Sequence, residues 1–512
     1  MDFITAALLG TARQAPRGEL AEELRRHGIP PPESPEQLLL AGAALSSRIS
    51  RGGFRPGRLP GQPPGTAETD DRPSFGPEAA DALRQMLSSR WANELIAEFF
   101  AVAAHKGLSP PTDCYPALMD WAADNLSAAR DTEKVLGNRG RWLSAQNPDW
   151  SALFADERPD GDSADHGERL RRLRQIRPQE ALNGIRLAWA AATAEQRLDL
   201  LSLLETGLSD ADEAFLETAL DDKSKPVRKK AARLLSLLPQ SSFADRMFAR
   251  CATLVRSSGS LLRGPGLSVE LPSAPDEAGI RDGLDPKETR PKCSPAESLL
   301  VQMLSAVPPV RWSRALGLSE DKLVALALPQ RHGRAIMLGW SIAASAHRDQ
   351  PWLTALGRNW LVNAPTHEHW SEVPAKLLFS ALDDTSHNAL AMRFFRENAP
   401  NFVSDDQPVL ELLYSPHRWN GELSRLVLDL LRKVIEKDSY VYHWGLKKLF
   451  RHAALHAAPD LAEEAAEGWP TEAYGWRHWK MEVDECLRAL RLRRAIAREP
   501  SADQGAERSE RK

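Results

Sequence analysis

Apolar residues recur three to four positions apart most regularly through residues 178–239, the spacing of one buried helix face. Pro178 suits a first helical turn, and Leu182, Ile185 and Trp189 follow on one side. Thr193 and Gln196 stand at capping-box spacing ahead of Leu198, Leu201 and Leu204. Asp210 and Glu213 repeat that spacing before Phe215, Leu216 and Ala219. Pro226 then opens a helix carrying Val227, Ala231, Leu234, Leu235 and Leu238. The pattern predicts helix starts at 178, 194, 211 and 226, with alternate starts 33 and 32 residues apart. Two short helices per unit of that length is the signature of a helical repeat. Asp221 and Asp222 before a turn, with Val227, Arg228, Ala231 and Ala232 after it, resemble a HEAT repeat, and the ALDD turn returns at Ala381–Asp384. The expected fold is all-α: a HEAT-like α-solenoid of stacked antiparallel helix pairs, interrupted by long loops.

Polar and Pro/Gly-rich breaks divide the rest of the chain. Residues 1–50 read as an N-terminal helical segment, with Ser34 as cap and Pro35 at the first turn of one helix. Residues 51–76 are rich in Gly, Pro and polar residues and read as an exposed linker without fixed structure. A helical domain follows over 77–165. It includes GNRGRWLSAQNPDW, where Gly137 and Gly140 flank a turn and Trp142 and Trp150 are anchors, and it ends in an acidic loop. HEAT-like repeats occupy 166–256. Residues 257–294 form an irregular insert that splits the repeats, which resume over 295–496. The polar stretch 497–512 reads as a disordered tail.

Composition supports the helical reading. Leu and Ala dominate the apolar set, and both lose little freedom in a helix. The 512 residues exceed one ordinary core, as a repeat array or several domains would. The net charge of −4 gives no global attraction to nucleic acid or anionic membrane. No apolar run reaches the ~18 residues of a membrane span, and the N-terminus lacks the basic region of a signal peptide. Four widely spaced cysteines, with no CxxC pair, suggest neither a zinc clip nor a disulfide framework. A cytoplasmic location is expected, with no membrane partner.

No recognisable catalytic constellation emerges, and no cofactor is expected. Walker A, G-x-S-x-G and G-x-G-x-x-G patterns are all missing. His452 and His456 share a helix face, but Ala453 stands where a zinc protease needs its Glu, so two surface histidines are expected. HEHW, from His367 to Trp370, is too short of ligands for a metal. Trp340, Trp352, Trp360, Trp370, Trp419, Trp444, Trp476 and Trp479 are expected to fill gaps between helices rather than line a binding wall. The candidate basic surface is Arg228, Lys229 and Arg233, which fall off the apolar face of their helix, with Lys230 near its edge. Two further basic runs, Arg169–Arg177 and Arg488–Arg498, would make a phosphate grip only if all three lined one surface. The bland alternative is a set of solvated helix faces. On that reading Leu234 is core and Lys229 is freely replaceable.

Several stretches in order, namely ALLGTARQ, GNRGRWLSAQNPDW, GLSDADEAFLETALDDKSKPVRKKAARLLSLLPQSSFADRM, RDGLDPKE and LSAVPPVRW, resemble a bacterial family of uncharacterised helical proteins. The resemblance covers most of residues 3–312. Members of that family are often encoded beside a MoxR-type AAA+ ATPase, a von Willebrand factor A protein and a SWIM zinc-finger protein. The resemblance implies a class of protein partner and carries over no site residue or activity. The leading expectation is a non-enzymatic scaffold or adaptor binding such partners. The alternatives are a nucleic-acid-binding HEAT-like protein and a hydrolase with an unfamiliar site.

Overall fold

Helix starts lie where prolines and capping side chains put them. A computed structural model describes residues 18–52, 65–125, 131–157, 166–258, 265–364, 368–370, 372–398, 408–437 and 444–502. Among the described residues there are twenty-five α-helices and two short strands, so the protein is all-α. Two units divide the chain, Met1–Ala67 and Glu68–Lys512. In the first, helix Gly18–Arg26 packs on helix Pro35–Gly52, burying Leu24, Leu39 and Leu45. Gly42 permits their approach, since a Cβ there would lie 2.5 Å from Leu20.

In the second unit, the expected helices appear as Pro178–Trp189, Ala194–Leu203, Glu213–Ala219 and Lys225–Ser236. Thr193 and Gln196 form the capping box, with the Gln196 amide donating to Thr193 Oγ1 and the Thr193 amide to Gln196 Oε1. The next box is shifted by one residue from its expected place. Ser209 and Asp212 form it, the Ser209 amide donating to Asp212 Oδ2 at 3.0 Å, and a 3-10 turn at Asp210–Asp212 precedes the helix. The shift has a cause outside the local pattern, because Asp212 is buried against Arg174.

Packing proceeds in two interleaved series. Ala194–Leu203 packs on Lys225–Ser236, which packs on Ser242–Ala252. The series continues through Pro295–Ser305, Gly333–His347, Ala375–Phe379, Pro408–Leu413 and Trp444–His456 to the last helix, Trp476–Arg498. Beside it, Glu320–Ala327, Gln350–Asn363, Asp384–Glu397 and Gly421–Lys437 pack one on the next. One contiguous apolar core runs through the unit. Trp312, Trp340 and Trp352 interlock within it, with ring centroids 6.2 and 4.9 Å apart, and all three are fully buried.

The last helix packs on Pro77–Leu87 and Ala92–Lys106, near the start of the unit. The Gly76 amide donates to Glu499 Oε1 at 2.9 Å, Arg90 pairs with Glu482 at 3.1 Å, and Arg493 Nε donates to Glu98 at 2.6 Å.

Parts of the linker and of the irregular insert are held in place. Of the linker 51–76, helix Pro35–Gly52 takes the first two residues, and 53–64 lie outside the described residues. Residues 70–75 are pinned: Asp70 accepts from the Asn138 amide at 3.2 Å, and Phe75 is buried with its amide bonded to Ser109 at 3.1 Å. Asp70 reaches the turn at Gly137, whose φ of 52° favours glycine. At the start of the insert 257–294, β1 (Val255–Ser257), which begins two residues before it, pairs antiparallel with β2 (Leu267–Val269), and helix Glu277–Arg281 is capped by Asp276. Short strands amid Gly, Ser and Pro leave no periodic apolar signal. In the stretch 497–512 read as a tail, the last helix runs on to Arg498, and 503–512 lie outside the described residues.

Candidate functional site

Helix Lys225–Ser236 carries the candidate basic surface. Pro226 sets its first turn, and Val227, Ala231, Leu234 and Leu235 turn fully inward. Burial of that stripe forces the cations to the flanks. Arg228 bends back over its own turn, Nη1 donating to the carbonyls of Asp222 at 2.6 Å and Lys223 at 3.1 Å. Lys229 reaches Glu288 at 2.7 Å and Asp285 at 3.0 Å, and Lys225 reaches Asp285 at 2.7 Å. Lys230 pairs with Glu205 at 2.6 Å. Arg233 is exposed to solvent. The structure therefore keeps Arg228, Lys229 and Arg233 on one helix but gives the first two to acceptors of this chain.

The acceptors of Lys229 come from the insert, in the stretch RDGLDPKE, whereas those of Arg228 belong to its own turn. Asp282 is buried between Arg246 at 2.8 Å and Arg250 at 2.7 Å. Arg281 spans Asp221 at 2.6 Å and Glu217 at 3.4 Å. The hydrogen bond from Lys225, joined by those from Lys229 and the Lys287 amide, holds the Asp285 carboxyl far below the usual carboxylate range. Burial opposes the charge on Lys229, yet its bonds to Glu288 and Asp285 outweigh that and raise its pKa. Asp222 is occupied as well, by Arg197 at 2.6 Å and the Ser224 amide at 2.7 Å. This network of alternating charges fastens the insert to helices Glu213–Ala219, Lys225–Ser236 and Ser242–Ala252. Its members stand up to 64 residues apart, so no local pattern announces them.

The other two basic runs also turn part of their charge inward. Arg174 is almost fully buried, donating to the carbonyls of Thr206 at 2.8 Å, Gly207 at 3.0 Å and Pro178 at 3.1 Å and pairing with Asp212. Arg493, likewise buried, joins Glu98 to the carbonyls of Ala457 at 2.8 Å and Ala454 at 3.0 Å. A planar guanidinium with five donors suits such carbonyl-rich sites. Arg488 and Arg491 of the last helix remain exposed.

His452 and His456 stack with ring centroids 5.2 Å apart and are half-buried, not the surface pair expected. Helix Trp444–His456 packs between the last helix and Pro408–Leu413, which removes the solvent side those rings would have had. His387 and His417 lie nearby with centroids 4.8 Å apart. Burial lowers the pKa of His387 to about 4, of His452 to about 3 and of His456 to about 4. In HEHW, His369 contacts the Gln330 carbonyl at 3.1 Å and Trp370 is buried, while His367 lies outside the described residues. Among the described residues no group of three or more His, Cys, Asp or Glu is placed to hold a metal. Of the expected gap-filling tryptophans, 340, 352, 370, 419 and 479 are buried and 360 and 476 half-buried. The side chain of Trp444 lies outside the described residues. No described helix is long and apolar enough to cross a membrane.

The model of a family of unknown function (DUF5691) matches residues 2–500. No curated protein and no solved structure matches the chain.

Proposed function

The chain belongs to the DUF5691 family, whose function is unknown, and from that premise we propose that it is a non-enzymatic scaffold or adaptor built as a HEAT-like α-solenoid. Its partners are proteins, of the class implied by the resemblance: a MoxR-type AAA+ ATPase or a von Willebrand factor A protein encoded beside it. The observation that carries this reading is the interleaved packing of alternate helices on one continuous core. Such arrays present an extended surface whose side chains need not be spent on the core. The pairing of Lys229 with Asp285 and Glu288 adds support, because a phosphate would have to displace two carboxylates to reach that ammonium.

The deciding experiment measures binding of the purified protein to each neighbouring partner and to duplex DNA at physiological salt. Wild type is compared with Arg233→Glu, the exposed candidate cation that contacts Glu205 only through the field it adds to the Lys230 pair. Submicromolar binding to a partner protein, unchanged in Arg233→Glu, is expected. DNA affinity should be weak and fall steeply with salt. Tight DNA binding that Arg233→Glu weakens, with no protein partner bound, would replace this reading with nucleic-acid recognition.

A further inference from the structure

The outer face of the last helix carries its own complement. On Trp476–Arg498 the inward positions include Trp479, Val483, Cys486 and Leu490. Arg477, Met481, Asp484 and Arg488 form the opposite stripe at alternating steps of four and three, all exposed. Met481 is 63 % exposed and Tyr474, just before the helix, 58 %. The Arg477 guanidinium lies 4.1 Å from the Tyr474 ring centroid, which stiffens both. None of Arg477, Lys480, Asp484, Glu485 and Arg488 has an ion-pair partner among the described residues. This sets the face apart from helix Lys225–Ser236, where three of the cations that face outward are paired within the chain.

Charge along the stripe is polar in the lengthwise sense. The N-terminal end offers Tyr474, Arg477 and Lys480. One turn further on, the helix borders a groove of about 620 Å³ against helix Pro77–Leu87, whose charged lining is Glu78, Asp81, Asp484 and Glu485 with Arg488 and Arg491, acids outnumbering cations. A cationic, aromatic end and an acidic groove thus sit on one helix, on either side of Met481. We propose that this face binds a second copy of the chain, two antiparallel last helices crossing at Met481 on a two-fold axis. Arg477 of each copy then lies level with Glu485 of the other, four residues from the axis, or about 6 Å along it. Tyr474 lies level with Arg488, seven residues from the axis, a cation–π partner. A two-fold axis repeats every contact, so each attractive pair counts twice. A seam built on one helix belongs with the small, transient interfaces, below the roughly 800 Å² per partner of a standard one, so the dimer is sought at micromolar concentration. This dimer is independent of the partner reading above.

Sedimentation from about 1 to 100 μM should show a monomer–dimer equilibrium. Arg477→Glu and Glu485→Arg should each weaken it at least tenfold, and the double variant should restore it by exchanging the sign of both pairs. In a Cys293→Ser background, whose remaining thiols are buried, Met481→Cys should cross-link to a disulfide dimer on mild oxidation. Val362→Cys, exposed on another helix, gives the collisional rate. A monomer throughout that range would overturn the proposal. So would a dimer indifferent to both reversals, a double variant that stays monomeric, or Met481→Cys cross-linking no faster than Val362→Cys.

Discussion

Lys229→Glu separates a solvated helix face from an internal clasp. Sequence pattern alone makes it a neutral surface change; the structure does not. Lys229 pairs with both Asp285 and Glu288, and its side chain is 36 % exposed. Exposed pairs are worth 0.2–1 kcal/mol, and hydrogen bonds to charged groups somewhat more, so loss of both pairs costs about 1 kcal/mol after solvent screening. A glutamate there also faces two carboxylates. Two like charges 4 Å apart interact by about 4 kcal/mol at an effective dielectric of 20, an upper bound that rotation toward water reduces to about 1. The expected destabilisation is therefore about 2 kcal/mol. The assay is urea unfolding followed by tryptophan fluorescence, with Glu288→Lys as the second arm of a double-mutant cycle. The double reversal should recover at least 0.5 kcal/mol relative to additivity. A Lys229→Glu protein within about 0.3 kcal/mol of wild type, with no coupling to Glu288, would refute the clasp.

Leu234→Asp should cost more than about 4 kcal/mol, because it puts a carboxylate in a fully buried site; equal urea midpoints for Leu234→Asp and Arg233→Glu would contradict the assignment of faces. Arg493→Ala should cost about 3 kcal/mol by leaving two helix-end carbonyls without their donor and Glu98 with only the longer pair to Arg418, and hydrogen exchange should rise first in 476–498; uniform exchange would count against this. The histidine cluster should make the protein acid-labile. The folded pKa values of His387, His452 and His456 lie below the ordinary value of 6.5, so the unfolded chain binds more protons and stability falls as pH drops from about 6.5 toward 4. The neighbouring charges Asp384, Glu98 and Arg493 are common to wild type and variant, so His387→Gln should flatten the slope over that window; an unchanged slope would show that His387 does not titrate with folding.

Periodicity made the helices from 178 to 239 legible almost residue by residue. Pro178, Thr193 with Gln196, and Pro226 act within one turn of themselves, so their effect is written locally. The box at Ser209 and Asp212 was misplaced by one residue because Asp212 answers to Arg174, 38 residues earlier in the chain. The same limit hid the hold on residues 70–75. Asp70 finds its amide donor 68 residues on, and a composition of Gly, Pro and acid describes a bound strap as well as a free one. The sheet of β1 and β2 has three residues per strand, too few for an alternation to register.

Charge was the least legible feature, and the reason bears on function. Arg174 and Arg493 stand in two arginine-rich runs of the chain, yet both are buried. A run of arginines on a helix must present some members to the core side, since the helix turns through every direction in four residues. Those members persist only where carboxylates and helix-end carbonyls converge on them. Arg174 meets Asp212 and three carbonyls, and Arg493 meets Glu98 and two. Counting cations in a run therefore overstates the field available to a ligand. What a partner can meet is the remainder after internal pairing, which among the described residues includes Arg233 on one helix, and Arg477, Lys480, Arg488 and Arg491 on another. The second group is interrupted by Asp484 and Glu485, and a surface that alternates in sign along one helix discriminates by register. Register is a property that another protein surface can match and a uniformly charged phosphate backbone cannot.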